Sequence, residues 1–313
     1  MEYTARMNEH ALVSRAAAAG SCVLLKNVAN TLPFTGTLDA PVRVAVFGIG
    51  QIFTPTGLSG MDPWRRVGIL DGLSADSAVA QDTLLAHKYR AWALEHPEGS
   101  EMPLGNLSME EFASSNDAAV VVLARTAAHY DPKLTNFEQD MLKKVTGAFS
   151  RVVLVLAAPG YMELTQEARS CGAIVLLGLA GQEAGYALAD VLTGRVCPSG
   201  KLSFSWPEKL ESFGLAAQQL DSFLGYRYFD TAKVPAMYPF GFGLSYTQFE
   251  YSDMSVDGDT VRFRVKNTGA VPGAEVAQLY VSAHTGGMVR PVKELKGFAR
   301  AYLEPGEERE LSI

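Results

Sequence analysis

Four segments of this chain are apolar almost throughout and do not alternate: VRVAVFG (Val42–Gly48), AAVVVLAR (Ala118–Arg125), RVVLVLAA (Arg151–Ala158) and GAIVLLG (Gly172–Gly178). Runs of this kind read as strands buried on both faces of a sheet. Between them, NFEQDMLKKVTGAF (Asn136–Phe149) and EAGYALADVLTG (Glu183–Gly194) space their apolar residues as helices packed on that sheet do. Upstream, HALVSRAAAAGSCVLLKN reads as an Ala-rich helix running into a short apolar strand, punctuated by Asn27, Asn30 and Pro33. The succession predicts an α/β fold with a mostly parallel sheet sandwiched by helices.

After Tyr251 the pattern changes. TVRFRVKNTG, AEVAQLYVSA, ELKGFARAYL and ERELSI alternate in part and are separated by Asn, Gly and Pro, which reads as an all-β sandwich. With Gln248–Ser252 these make about five strands where such sandwiches usually have about seven, so the sandwich is expected to be partial, with an unpaired edge. Between the two regions, Gly225 to Tyr251 is crowded with aromatic residues, and Gly241 and Gly243 give the freedom a crowded turn needs. The expected division is an α/β domain over residues 1–207, an aromatic junction over 208–247 and the β region over 248–313.

A net charge of −7, with Lys and Arg dispersed, provides no basic stripe for a phosphate backbone, so nucleic acid is not expected as a partner. Three cysteines, Cys22, Cys171 and Cys197, and five scattered histidines show no metal-ligand spacing, so no metal or other cofactor is expected. No apolar run approaches the roughly 20 residues of a membrane span, and MEYTARMNEH has no apolar signal core, from which a cytoplasmic location is expected.

Four motifs occur in order: RAAAAGSCVLLKN followed by LPF (Arg15–Asn27, Leu32–Phe34), GLAGQEAGYALADVLTGRVCPSGKLSFSWP (Gly178–Pro207), GYRYFD, and YPFGFGLSYTQFEY (Tyr238–Tyr251). Together they resemble glycoside hydrolase family 3, the β-glucosidase-type enzymes, over nearly the whole chain. The resemblance implies the α/β sandwich domain and a partial fibronectin-III-like module, without the catalytic (β/α)8 barrel that carries the nucleophilic Asp. Because the chain opens on the sandwich domain, it is similar to the permuted branch, whose barrel comes last. The implied substrate is a β-linked gluco-oligosaccharide or aryl glycoside of a parent enzyme, with the barrel supplied in cis or in trans. The isolated chain is then expected to be inactive. A non-catalytic carbohydrate-binding or regulatory module is the alternative, and a homodimer through the open sandwich edge is a further expectation.

Family members place an acid/base Glu in a loop after an apolar strand, and the matching segment here is RTAAHYDPK (Arg125–Lys133), which lacks that Glu. His129 can donate a proton to a leaving group, although a loop histidine is commonly just solvated. Asp131 can do the same, or can fix the loop or bind a sugar hydroxyl. Glu138 reads as a first-turn helix residue. GIGQIFTPTGLSGMD (Gly48–Asp62) follows a buried strand, where open α/β sheets bind ligands, but it fits neither nucleotide-binding glycine pattern. Gln51 there, Trp64 just beyond and Arg125 are the candidate substrate contacts. Glu183 of GQEAG is assigned to architecture, as a helix N-terminal carboxylate.

Overall fold

The computed structural model describes residues 5–55, 57, 65–105, 107–128, 130–209, 211–212, 223–283, 286 and 290–313. By its contacts the chain divides into two compact units, Met1–Val196 and Cys197–Ile313.

In the first unit, the strands are β1 (Val23–Asn27), β2 (Val42–Phe47), β3 (Val79–Gln81), β4 (Ala118–Ala124), β5 (Val152–Ala157) and β6 (Ala173–Leu176), in spatial order β1-β6-β5-β4-β2-β3. All neighbours are parallel except β1, which runs antiparallel to β6. Every residue of β5 and β6 is buried, as is all of β4 except its last residue. These are the uninterrupted apolar runs of the sequence, and their burial on both faces is the reason they do not alternate. Short β3 supplies only Val79 to the core.

The helices are α1 (Ala5–Ser21), α2 (Ile69–Ser74), α3 (Thr83–Glu95), α4 (Met109–Ser115), α5 (Asn136–Ala148), α6 (Gln166–Ser170) and α7 (Ala184–Leu192). Several starts are written in the sequence. Asp82 accepts the Leu85 N–H at 2.9 Å to cap α3, and Thr135 with Glu138 forms a reciprocal capping box on α5. Helix α7 packs against α2 through glycines. A Cβ on Gly185 would lie 2.0 Å from the Gly68 carbonyl oxygen, and one on Gly72 would lie 2.1 Å from the Gly185 carbonyl carbon. Gly185 of GQEAG is therefore a packing requirement. No helix among the described residues is long and apolar enough to cross a membrane.

The second unit holds a three-stranded antiparallel sheet, β13-β10-β9, and a two-stranded one, β11-β12, from β9 (Phe249–Asp257), β10 (Thr260–Asn267), β11 (Gly273–Val281), β12 (Glu294–Leu303) and β13 (Glu308–Ser312). Two short strands, β7 (Trp206–Pro207) and β8 (Ala236–Tyr238), pair with each other as a separate antiparallel ribbon. Phe263, Val265, Ala277, Ala301 and Leu303 form the core between the sheets. The aromatic segment packs on itself and on β11: Tyr226 stacks on Phe240 at 4.5 Å between ring centroids and meets Tyr280 edge-on at 6.0 Å. Its turn is tight, since a Cβ on Gly241 would lie 2.0 Å from Gln278 Oε1.

An open groove of about 690 Å³ lies along β9, β10 and β11, lined by Tyr251, Met254, Val261, Phe263, Leu279 and Ile313 among others. Apart from partly buried Phe249, every residue of β9 is exposed.

Fully buried Asn267 ties this unit together. Its Nδ2 donates to the Val271 and Leu303 carbonyls at 2.9 and 3.0 Å, while its Oδ1 accepts from the Thr247 hydroxyl at 2.7 Å and the Gly269 N–H at 3.1 Å. All four bonding positions of the amide are used. Asn267→Ala is expected to cost this unit about 2–3 kcal/mol, because it strands several buried polar groups at once. Chemical denaturation followed by a probe in the β region measures it.

Candidate functional site

The candidate site is built where β2 and β4, neighbours in the sheet, end and release their loops. Gly48 leaves β2 with φ of 97° and lies so close to β4 that a Cβ there would sit 2.1 Å from the Val122 oxygen. Only glycine fits this combination of positive φ and close approach. The chain then makes a single 3₁₀ turn over Ile49–Gln51 and returns towards α2, where the Thr54 hydroxyl donates to Gly50 O at 2.9 Å and accepts the Ile69 N–H at 3.1 Å.

Gln51 is fully buried in this turn. Its Nε2 donates to the Val46 and Gly48 carbonyls at 2.9 and 3.0 Å, so the donor end of the amide braces its own loop, and Oε1 has no hydrogen-bond partner among the described residues.

On the neighbouring strand, Arg125 follows β4 and organises the whole 125–138 segment. Its Nε donates to Asp131 O at 2.8 Å. Nη1 donates to Ala124 O and Glu138 Oε1 at 2.8 and 2.7 Å, and Nη2 to Lys133 O and Glu138 Oε2 at 2.8 Å each. The five N–H groups of the guanidinium thus meet five oxygen acceptors, which leaves none for a ligand. Asp131 closes the turn beneath it, its Oδ1 accepting the Lys133 N–H at 2.9 Å. Tyr130 donates its hydroxyl to Tyr161 O, and burial pushes that phenol up to about 12. Glu138 is at once the third residue of the α5 capping box and the counter-ion of Arg125, an economy that first-turn position alone does not reveal.

Arg125 and Asp131 are therefore brought into one loop, with Gln51 on the loop of the adjacent strand. Trp64, His129 and all of the TGLSG run except Gly57 lie outside the described residues.

Two further residues hold the site. The hydroxyl of fully buried Tyr89, from α3, accepts the Gly48 N–H at 2.9 Å. Glu101, from the segment between α3 and α4, accepts the Ile49 N–H at 2.9 Å through Oε2. Through Oε1 it accepts the Met102 N–H at 3.0 Å and faces the Tyr89 hydroxyl at 3.3 Å. Burial raises the Glu101 carboxyl to about 7, and the charge of Glu138 adds to this, against the lowering effect of the backbone donors. Burial likewise pushes the Tyr89 phenol well above its usual range. HPEGSEMPLGN offers no motif that singles out Glu101. Its partner Ile49 is 52 residues away, and only the folded chain joins them. Among the described residues, no group of three or more His, Cys, Asp and Glu is placed to hold a metal ion.

A mostly parallel sheet with helices on it, followed by a fibronectin-III-like set of antiparallel strands, defines a two-part carbohydrate-enzyme architecture when compared with known proteins. Residues 22–246 match the glycosyl hydrolase family 3 C-terminal domain, and residues 275–313 match the fibronectin type III-like domain. The chain belongs to glycoside hydrolase family 3. It is 34% identical to thermostable beta-glucosidase B of Acetivibrio thermocellus, over 97% of this chain and 43% of that protein. Among solved structures, beta-glucosidase 3B from Thermotoga neapolitana in complex with glucose superposes with a TM-score of 0.89 at 32% identity, over 99% of this chain and 49% of that one. A beta-glucosidase from Paenibacillus barengoltzii gives 0.87 at 30% identity, over 96% and 37% respectively. The chain spans less than half the length of each of these relatives.

Proposed function

We propose that this chain is the sandwich and fibronectin-III-like portion of a retaining β-glucosidase-type hydrolase, and that the loops after β2 and β4 form part of the wall of its leaving-group subsite. The observation that carries this reading is the family match over residues 22–246, in a chain whose β-glucosidase relatives are more than twice as long. Double displacement with retention needs a nucleophilic carboxylate and an acid/base carboxyl about 5 Å apart, flanking the scissile bond. The carboxyls packed behind these loops are otherwise engaged. Glu138 is held by Arg125 and the Thr135 N–H, and Glu101 by the Ile49 and Met102 N–H groups. In this reading the nucleophile comes from a barrel, and the substrate is a β-linked gluco-oligosaccharide or an aryl glycoside.

The purified chain is accordingly expected to release nitrophenol from p-nitrophenyl β-glucoside no faster than buffer does. Turnover that co-purifies with the chain and disappears on His129→Ala or Asp131→Ala would overturn this. The size of the protein in its source cells, by immunoblot, tests the parent: a band more than twice 33.7 kDa supports a barrel in cis. A non-catalytic carbohydrate-binding role is the second reading, favoured by the lack of a glutamate between Arg125 and Asp131. Heat on titration with cellobiose, without hydrolysis, would select it.

A further inference from the structure

The loop that leaves β2 begins with two successive peptide N–H groups, Gly48 and Ile49, at the point where the chain departs from the sheet. Neither is bonded by the sheet. Gly48 is met by the Tyr89 hydroxyl and Ile49 by the Glu101 carboxyl, and these two side chains also face each other at 3.3 Å. A helix and a distant segment thus converge on two successive peptide groups. We propose that Glu101 is a positioning residue for this loop, holding Ile49 directly and Gly48 through Tyr89, and so fixing the face that the Gly48–Thr54 segment presents. The role in glycoside binding rests on the reading above of this loop as part of a subsite wall.

Both protonation states of Glu101 satisfy the cluster. As a carboxylate it accepts from Ile49, Met102 and Tyr89. As an acid it keeps Ile49 on Oε2 and donates from Oε1 to the Tyr89 oxygen, whose own proton then turns to Met141 Sδ at 3.7 Å. The difference between the states lies in the surroundings. The groups facing Glu101 are Tyr89 from α3, Met102 from its own segment and Glu138 from α5, which is itself paired with Arg125 at the end of β4. Ionised, the carboxyl is poorly hydrated and lies close to a second negative charge.

Opening the loop returns Glu101 to water and to an ordinary carboxyl pKa, about 4.5, against about 7 when closed. The closed state binds its proton more tightly. Its advantage over the open state is therefore full below about pH 4.5, declines as pH rises towards 7, and is level above that. The loop is held most firmly when Glu101 is protonated.

Amide hydrogen exchange on the whole chain, corrected for intrinsic rates, tests this at pH 5.5 and pH 8. In the wild type, protection at Gly48 and Ile49 is expected to fall roughly thirtyfold between the two, the equivalent of about one and a half pKa units of differential interaction. Glu101→Gln keeps an oxygen for Ile49 and carries no charge, so it is expected to hold protection at its low-pH level at both pH values. Glu101→Ala is expected to lose protection at both. Tyr89→Phe is expected to lose it at Gly48 while Ile49 keeps its bond. A pH-dependent fall in Glu101→Gln equal to that of the wild type overturns the proposal, and so does unchanged protection of Gly48 and Ile49 in Glu101→Ala. If the alanine variant does not fold, the glutamine comparison decides. Because exchange is read without any sugar, its failure is separate from failure of the subsite reading, which the glycosidase assay and cellobiose titration test.

Discussion

Glu138→Ala is expected to destabilise the first unit by about 3–5 kcal/mol, the cost of leaving a buried charge without its partner. The two side chains of the Arg125–Glu138 pair are only 10% and 8% exposed, and the contact is bidentate at 2.7 and 2.8 Å. Removing the carboxylate strands two guanidinium N–H groups and also strips α5 of half its capping box. The three carbonyls bonded by Arg125 would still hold it in place, so the side chain cannot simply swing into water to escape the penalty. Replacing both partners together, as Arg125→Met with Glu138→Leu, is expected to recover part of the loss, since neither charge is then left unpaired. Urea denaturation of the single and double variants measures both effects. Equal losses in the two would show that loop anchoring, not charge pairing, carries the energy.

Gly185→Ala carries the second large effect, a loss of about 3 kcal/mol or more. The added Cβ would sit 2.0 Å from the Gly68 oxygen and 2.6 Å from its carbonyl carbon, which is backbone and cannot rotate away. The N–H of Gly185 donates to Val67 O at 3.0 Å, so separating α7 from this segment also breaks a backbone bond. Overpacking a closed contact commonly costs about 1–3 kcal/mol, and a contact made of backbone on both sides belongs at the upper end. Gly147→Ala is the matched control. Gly147 lies within α5 with nothing among the described residues within 4 Å of the added Cβ, and there alanine is expected to stabilise by about 0.5–1 kcal/mol. Calorimetry of the two variants should give shifts of opposite sign.

The architecture was legible where one physical cause acted on many adjacent residues. Strands β4, β5 and β6 are buried on both faces, and that writes itself as continuous apolar sequence. The capping box of α5 and the close packing at Gly185 of GQEAG are local constraints with local signatures. Short β3 escaped because three residues, one of them in the core, carry no period. The site was less legible because its bonds are long-range. Arg125 looks like a cation available to a substrate until Asp131, Lys133, Ala124 and Glu138 are folded around it. Gln51 looks like a polar residue on an exposed glycine loop until the turn draws its amide underneath. Glu101 had no signature, since neither its spacing nor its neighbours in sequence mark it as the residue that meets Ile49.

The bare face of β9 has a practical consequence for handling this protein. Met254 is 74% exposed and Val256 67%, on a strand whose outer edge hydrogen-bonds to nothing among the described residues. Apolar side chains beside free backbone donors and acceptors are what sheet-forming aggregates nucleate on. Aggregation at high concentration is therefore expected to begin at this seam rather than at the well-packed α/β core, and a polar substitution at Met254 or Val256 is expected to raise solubility.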